Sequence, residues 1–295
     1  MIRAGIDIGG TKINIGLVDE ENQLICAEKL RVADITEPVC AIGAVIDSLL
    51  SSADRRRDEL VFCGIGIPGT VSSDGQKILK EPNIRILPAD FADRMENAFG
   101  IPCRMVQDSR AAAWGEYKAG AARGMRSVIC VTLGTGIGTG IVLDGKIYNG
   151  ALGCAGEMGH LPVVENGRPC GCGRQGCLEK YAAGLGLDMT AAEILGEGST
   201  ADTLFTAARA GNAEAEKAVR EAVVFLGRAV VAEINLLSPD CLLFSGGLAQ
   251  RKEYTDAVID YVCSHCYITD TMPRIVRASL GENAPLIGAA LLNKA

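Results

Sequence analysis

Aromatic side chains are scarce: six Phe, six Tyr and a single Trp amount to 4% of the 295 residues. Any core must therefore be filled by Val, Ile, Leu and Ala. Cationic residues are also outnumbered, with 29 Lys and Arg against 36 Asp and Glu and a formal net charge of −7. Duplex binding leans on a basic face, so nucleic acid is not an expected partner. No apolar run reaches the ~20 residues that a membrane span needs. No h-region with a cleavage site follows Met1-Ile2-Arg3 either. The expectation is a cytoplasmic protein with no membrane partner. In a reducing compartment the twelve cysteines do not make a disulfide framework. Six of them, Cys26, Cys40, Cys63, Cys103, Cys130 and Cys241, read as small buried hydrophobes.

What is present is an ordinary globular balance, 48% hydrophobic and 22% charged, joined to a large excess of glycine. The 36 glycines stand well above the usual share of about 7%. Such an excess marks tight turns and places where backbone comes close to a partner. Ile2–Ile8 and Ile13–Val18 read as strands joined by the tip Gly9-Gly10-Thr11-Lys12, a hairpin. A helix is expected over Pro38–Ser52, with Ile42, Val45, Ile46 and Leu49 at helical spacing. Leu60–Ile67 is a strand ended by Pro68-Gly69. A helix near Ala89–Phe99 and a short strand at Pro102–Val106 follow. Asp108 then opens a helix, Ser127–Leu133 is a strand, and helices cover Ala201–Ala210 and Ala213–Leu237. Asp240–Phe244 is a strand closed by Ser245-Gly246-Gly247, and the last helix runs over Pro285–Asn293.

One internal echo stands out. Gly9, Gly10, Leu17 and Asp19 recur at a constant offset as Gly134, Thr135, Val142 and Asp144, each copy a strand, a glycine tip, a strand and an Asp-bearing turn. A duplicated lobe with two phosphate loops produces such a pattern; two unrelated hairpins in a glycine-rich chain produce it too. Backbone N–H groups in a Gly/Thr turn can converge on phosphate oxygens. Thr11, Lys12 and Thr135 add side-chain donors, and Asp7 is placed to face a Mg²⁺ ion through water. Neither loop is the G-x-x-x-x-G-K-[ST] type. Gly246-Gly247 could let adenine or ribose lie against backbone, or be a plain strand-to-helix turn.

Cys170, Cys172 and Cys177 fall within eight residues that include three glycines, and His160 lies ten residues upstream. Cys₃His is a favoured tetrahedral zinc set with no open position, hence a structural site. Reduced thiols or a redox pair are the other readings, and Cys154 is a possible substitute ligand. Glu157 and Glu179 flank this knot. Fixed carboxylates suit sugar hydroxyls, which donate charge-assisted hydrogen bonds to them; without the metal they are ordinary surface glutamates. Asp108 is either a helix N-cap or the acceptor of a hydroxyl proton in phosphoryl transfer, and one residue can fill both roles.

Together these residues resemble the ROK family of repressors, open reading frames and kinases, especially its bacterial glucokinase-like members. Asp7–Lys12 and Leu133–Gly138 match its two phosphate loops. Glu157-Met158-Gly159-His160 and the run from Cys170 to Glu179 match its E-x-G-H and C-x-C-G-x-x-G-C-x-E signatures. The resemblance implies an α/β, two-lobed actin- and hexokinase-like (ribonuclease H-like) ATPase fold with a cleft between lobes. The lobes expected are 1–108, rejoined by a last helix at 284–295, and 109–283 with the zinc motif. It implies Asp108 as general base, and His160, Cys170, Cys172 and Cys177 on a structural Zn²⁺. Asn83, Gln107, Glu157, His160 and Glu179 are then near the sugar. Gly9, Gly10, Thr11, Lys12, Gly134, Thr135, Gly136, Gly246 and Gly247 are on ATP–Mg²⁺.

Two positions depart from the family. Gln107-Asp108-Ser109-Arg110 stands where it usually reads N-D-x-N, and Arg85-Ile86 replaces a common tryptophan after Pro82-Asn83-Ile84. Both departures lie on the sugar side, which keeps allose, N-acetylmannosamine and fructose beside glucose as candidates. A regulator of the same family needs a helix-turn-helix module, for which a first strand at residue 2 leaves no room. A binding protein without catalysis is opposed by the retained Asp108. The expectation is an ATP-dependent hexose kinase, forming a homodimer.

Overall fold

The structure, a computed structural model, describes residues 1–80, 87–267 and 272–292. In chain order it forms β1 (Ile2–Ile8), β2 (Lys12–Val18), β3 (Leu24–Arg31), α1 (Pro38–Ser52), β4 (Leu60–Ile67), β5 (Thr70–Val71) and β6 (Ile78–Lys80). Then come α2 (Phe91–Phe99), β7 (Cys103–Gln107), α3 (Asp108–Lys118), β8 (Val128–Leu133), β9 (Ile137–Leu143) and β10 (Lys146–Ile147). The remainder is mostly helical: α4 (Glu179–Ala182), α5 (Gly184–Leu195), α6 (Ala201–Arg209), α7 (Ala213–Leu237), β11 (Cys241–Ser245), α8 (Lys252–His265), β12 (Arg274–Arg277) and α9 (Ala284–Ala290). Among the described residues, no helix is long and apolar enough to cross a membrane.

Two compact units result. The first comprises Met1–Val128, Gly140–Ala155 and Ala278–Ala295, and the second Ile129–Thr139 and Gly156–Arg277. The first unit is built on the sheet β3-β2-β1-β4-β7, with β1 antiparallel to β2 and parallel to β4. Ala4, Ile6, Ile8, Cys63, Ile65 and Ile67 point to one face, where they form a core with Ile42, Ile46 and Leu49 of α1 and with Phe91 and Met95 of α2. Alternation along a strand sends the residues between them to the other face. There Gly5, Gly16 and Gly64 stand side by side on three neighbouring strands. A Cβ at Gly5 would overlap the Leu286 carbonyl of α9, and one at Gly64 the Ala289 carbonyl. The glycine row therefore lets α9 lie directly on the sheet. These glycines admit backbone of the same chain rather than a ligand.

The second sheet has the order β10-β9-β8-β11-β12. The core of the second unit joins Ile129, Val131 and Leu133 of β8 and Leu242 and Phe244 of β11 to α7 through Leu226, Val230 and Ile234, and to α8 through Tyr254 and Val258. The Tyr254 hydroxyl donates to the Ala182 carbonyl at 2.9 Å, which ties α8 to the end of α4.

Most expected elements appear within a residue or two. The second helix starts at Phe91 rather than Ala89, three residues beyond Pro88. The last helix ends at Ala290 rather than near Asn293. Of the six cysteines read as buried hydrophobes, Cys63, Cys103, Cys130 and Cys241 are buried and Cys26 is partly so. Cys40 is exposed. It sits in the first turn of α1, where its N–H donates to the Glu37 carboxylate and its side chain leaves the core face.

Candidate functional site

In the first unit the candidate residues gather at the carboxyl ends of parallel strands, the edge where open α/β sheets bind ligands. The hairpin tip is closed by Gly9 N–H donating to the Lys12 carbonyl at 2.9 Å. Gly10, Thr11 and Lys12 are exposed, and a Cβ at Gly10 would meet nothing within 4 Å. Asp7 precedes the tip at the end of β1, opposite Asn14 of β2, whose amide donates to its carboxylate at 3.1 Å. Burial pushes the Asp7 carboxyl above its ordinary range, and the Asn14 bond only partly offsets this. Asp7 is thus a carboxylate that a nearby cation would favour.

Two strands along, β7 ends at the buried Gln107, and Asp108 is the first residue of α3. The Asp108 carboxylate accepts the Ser109 N–H at 2.6 Å. Gly66 of β4 lies between the two aspartates: it pairs with Asp7 of β1 and Val106 of β7, and a Cβ there would come 3.8 Å from the Asp108 Cα. Arg110, expected to alter a sugar contact, is buried. Its guanidinium donates to the carbonyls of Gly153 at 2.9 Å and Ala155 at 2.7 Å, and to the Asn149 side chain at 3.3 Å. The cation at this departure from the family pattern clamps loop 149–155. Asn83 and the neighbouring Pro82, Ile84, Arg85 and Ile86 lie outside the described residues.

The second unit carries the second tip. Gly134 N–H donates to the Gly136 carbonyl at 3.0 Å, and Thr135 is exposed. Gly246 has φ +93° and packs on the Leu133 backbone, so the two glycine turns that follow β8 and β11 adjoin. Gly134, Thr135 and Gly247 line one open cavity of about 810 Å³ together with Leu185, Asp188 and Arg251. No sequence motif marks those last three. Arg251 pairs with Asp202 and Glu253 and lies 4.5 Å over the Phe205 ring. Only the Gly184-Leu185-Gly186 step hints at this wall in the sequence, since a glycine can bring a helix start against a loop.

His160, Cys170, Cys172 and Cys177 converge: their ligand atoms all lie within 4.8 Å of one another. The Cys172 and Cys177 sulfurs are 3.6 Å apart, and His160 Nδ1 is 3.6 Å from Cys170 Sγ. Four donors 2.0–2.3 Å from one tetrahedral ion stand roughly 3.5–3.8 Å from each other, so the set fits a four-coordinate metal. Burial pushes the Cys170 thiol up, a cost that a cation offsets. Cys154 is exposed and is not among the four. The other His160 nitrogen, Nε2, lies 3.8 Å from the Glu157 carboxylate. Glu179 accepts from the Cys170 thiol at 3.0 Å, and its second oxygen would be 2.9 Å from a Cβ on Gly136. One carboxylate therefore adjoins both the knot and the glycine tip.

Two units, each with a β-sheet and a glycine-tipped hairpin, define an α/β protein of the actin- and hexokinase-like class. Residues 3–295 match the model of the ROK family, and the chain belongs to that family. A glucokinase of Streptomyces coelicolor is 34% identical over 308 residues, spanning 97% of this chain and 95% of its own. An N-acetylgalactosamine kinase of a Shewanella species is 33% identical over 301 residues, spanning 98% and 95%. The structure of a ROK family glucokinase from Streptomyces griseus, in complex with glucose and AMPPNP, superposes with a TM-score of 0.79 at 33% identity and 99% coverage of each chain.

Proposed function

We propose that this protein is an ATP-dependent hexose kinase that converts glucose to glucose 6-phosphate. The observation that carries the reading is the placement of Glu179, a carboxylate suited to sugar hydroxyls, against both the Cys₃His knot and the second glycine tip. Glu157 and His160 Nε2 are the other hydroxyl partners, with Gln107 and Asn83 contributing from the first unit. Thr11, Lys12 and the N–H groups of Gly9, Gly10, Gly134, Thr135 and Gly136 hold phosphates, and Gly246-Gly247 borders the nucleoside. Mg²⁺ brought with ATP would supply charge neutralisation at the phosphates, and Asp7 would help hold it through water.

Asp108 accepts the proton of the attacking hydroxyl as its oxygen bonds to the γ-phosphorus and the bond to the β-phosphate oxygen breaks, releasing ADP. His160, Cys170, Cys172 and Cys177 would hold a Zn²⁺ ion that would supply rigidity rather than chemistry, since four protein ligands leave no open position. Twelve cysteines without a disulfide among the described residues suit the reducing cytosol, and a homodimer is the assembly we would test by light scattering.

A second acceptor class has a specific observation in its favour. The N-acetylgalactosamine kinase is as similar to this chain as the glucokinase is, at 33% and 34%. An N-acetylated amino sugar, N-acetylmannosamine included, is therefore the leading alternative to glucose, ahead of allose and fructose. The test is a panel of hexoses and N-acetylhexosamines with ATP–Mg²⁺, read as coupled ADP release. One sugar should dominate kcat/KM; a flat response across the panel overturns the kinase reading.

A further inference from the structure

We propose that Arg168 is a positioning residue for the nucleotide, stapling the metal loop to the α4–α5 junction that holds the second glycine tip in place. The inference rests on the kinase reading above. Arg168 stands two residues before Cys170, and its carbonyl accepts the Gly176 N–H at 2.9 Å, which closes the loop bearing the three thiols. Its side chain, 13% exposed, extends from that loop onto the helices. Nη1 donates to the carbonyls of Lys180 at 2.7 Å and Gly186 at 2.9 Å, and to the Thr190 hydroxyl at 3.0 Å. Nη2 donates to the Glu193 carboxylate at 2.5 Å. The guanidinium lies 4.9 Å over the Tyr181 ring, and the Tyr181 hydroxyl accepts the Arg168 backbone N–H at 2.7 Å.

Lys180 and Gly186 bracket the segment 181–185. Inside that bracket, Gly184 N–H donates to the Gly134 carbonyl at 2.8 Å, and Leu185 N–H to the Thr135 carbonyl at 3.2 Å. Gly134, Thr135, Gly184 and Leu185 all line the 810 Å³ cavity. Arg168 thus fixes the two carbonyls that flank the junction, and the junction fixes the tip. The two Nη groups bring four N–H donors to these four acceptors in one plane; a lysine is a point charge with three donors. Glu179 lies before the bracket, and its carboxylate sits beside Cys170 and Gly136, not against Arg168. Loss of Arg168 should therefore reach the nucleotide far more than the sugar.

The test compares Arg168→Met, Arg168→Lys and Tyr181→Phe in the full-length, metal-loaded protein. In Arg168→Met, KM for ATP should rise about tenfold while KM for the sugar changes less than about twofold, as expected when an oriented loop is loosened. Titration with ADP should weaken in parallel, with zinc content by mass spectrometry still one ion per chain. Arg168→Lys should recover only part of the loss, and Tyr181→Phe should shift KM for ATP in the same direction by about twofold. Equal rises in both KM values, loss of zinc, or a fall in kcat with both KM values unchanged would overturn the proposal. If Arg168→Met does not fold, Thr190→Val and Tyr181→Phe, each removing one contact, carry the same comparison. Should the wild type phosphorylate no sugar, the kinase reading fails, while ADP titration still reports whether Arg168 orders the cavity.

Discussion

For Asp108→Asn, kcat should fall about 10²–10⁴-fold while sugar affinity by calorimetry stays within about threefold, the signature of a lost proton acceptor. Equal turnover in mutant and wild type removes Asp108 from the mechanism. Residue type and spacing mark the Cys₃His set in the sequence, and its ligand atoms lie within 4.8 Å of one another. Nothing in the sequence says that the Arg110 fork closes on the carbonyls of Gly153 and Ala155. Glu233 of α7 makes a separate case. Burial raises its carboxyl from 4.5 to about 7, and one of its oxygens has no hydrogen-bond partner among the described residues. Between those values the folded protein holds a proton that the unfolded chain has released. Its contribution to stability is therefore present at acid pH and lost as pH rises through 7. Glu233→Gln should stabilise the protein at pH 8 by about 1–2 kcal/mol and have little effect at pH 5, read from urea midpoints. A gain independent of pH would mean that the proton is not involved.

Secondary-structure elements were legible in proportion to the width of their apolar face. Helix α1 buries Ile42, Val45, Ile46 and Leu49, and α7 buries eight residues along 25; the sequence pattern predicts both at their full length. No comparable pattern marks helix α8. Its buried side is the narrow stripe Tyr254, Thr255, Val258 and Val262, too thin to stand out in a polar run. Strands β3 and β12 leave no mark for a related reason: both are sheet edges with half-exposed residues. Helix α5 opens Gly184-Leu185-Gly186, which reads as a turn until its contact with the Gly134 carbonyl is seen. The metal loop belongs to this scale as well, because it has almost no apolar face of its own. Removing the proposed Zn²⁺ with a chelator under reducing conditions should weaken sugar binding by about 10–100-fold. Far-UV circular dichroism should change little, since the core of β8, β11, α7 and α8 does not include the loop. Global unfolding on chelation would assign the ion a larger part in stability than proposed.

Over the molecule as a whole, the glycine row and α9 matter most. Gly64→Ala places a methyl group on the Ala289 carbonyl and should cost about 3 kcal/mol or more, seen as a lower urea midpoint with an unchanged slope. An unchanged midpoint would show that α9 has room to retreat. The attachment of α9 is reinforced nearby by the buried Glu116 of α3. Its carboxylate accepts the N–H groups of Ala121 at 2.8 Å and Leu280 at 2.7 Å, and the Ser279 hydroxyl at 3.2 Å. This arrangement has a consequence for biogenesis. A ribosome releases the first sheet long before the helix that covers its glycine face, at about 5–20 residues per second. The hydrophobic cluster of the middle segment needs nothing from the last twenty residues, so it can condense while translation continues. The nascent amino-terminal half must wait, bare on one side, for its lid. Maturation thus runs against the order of synthesis, the part made first being the last to close.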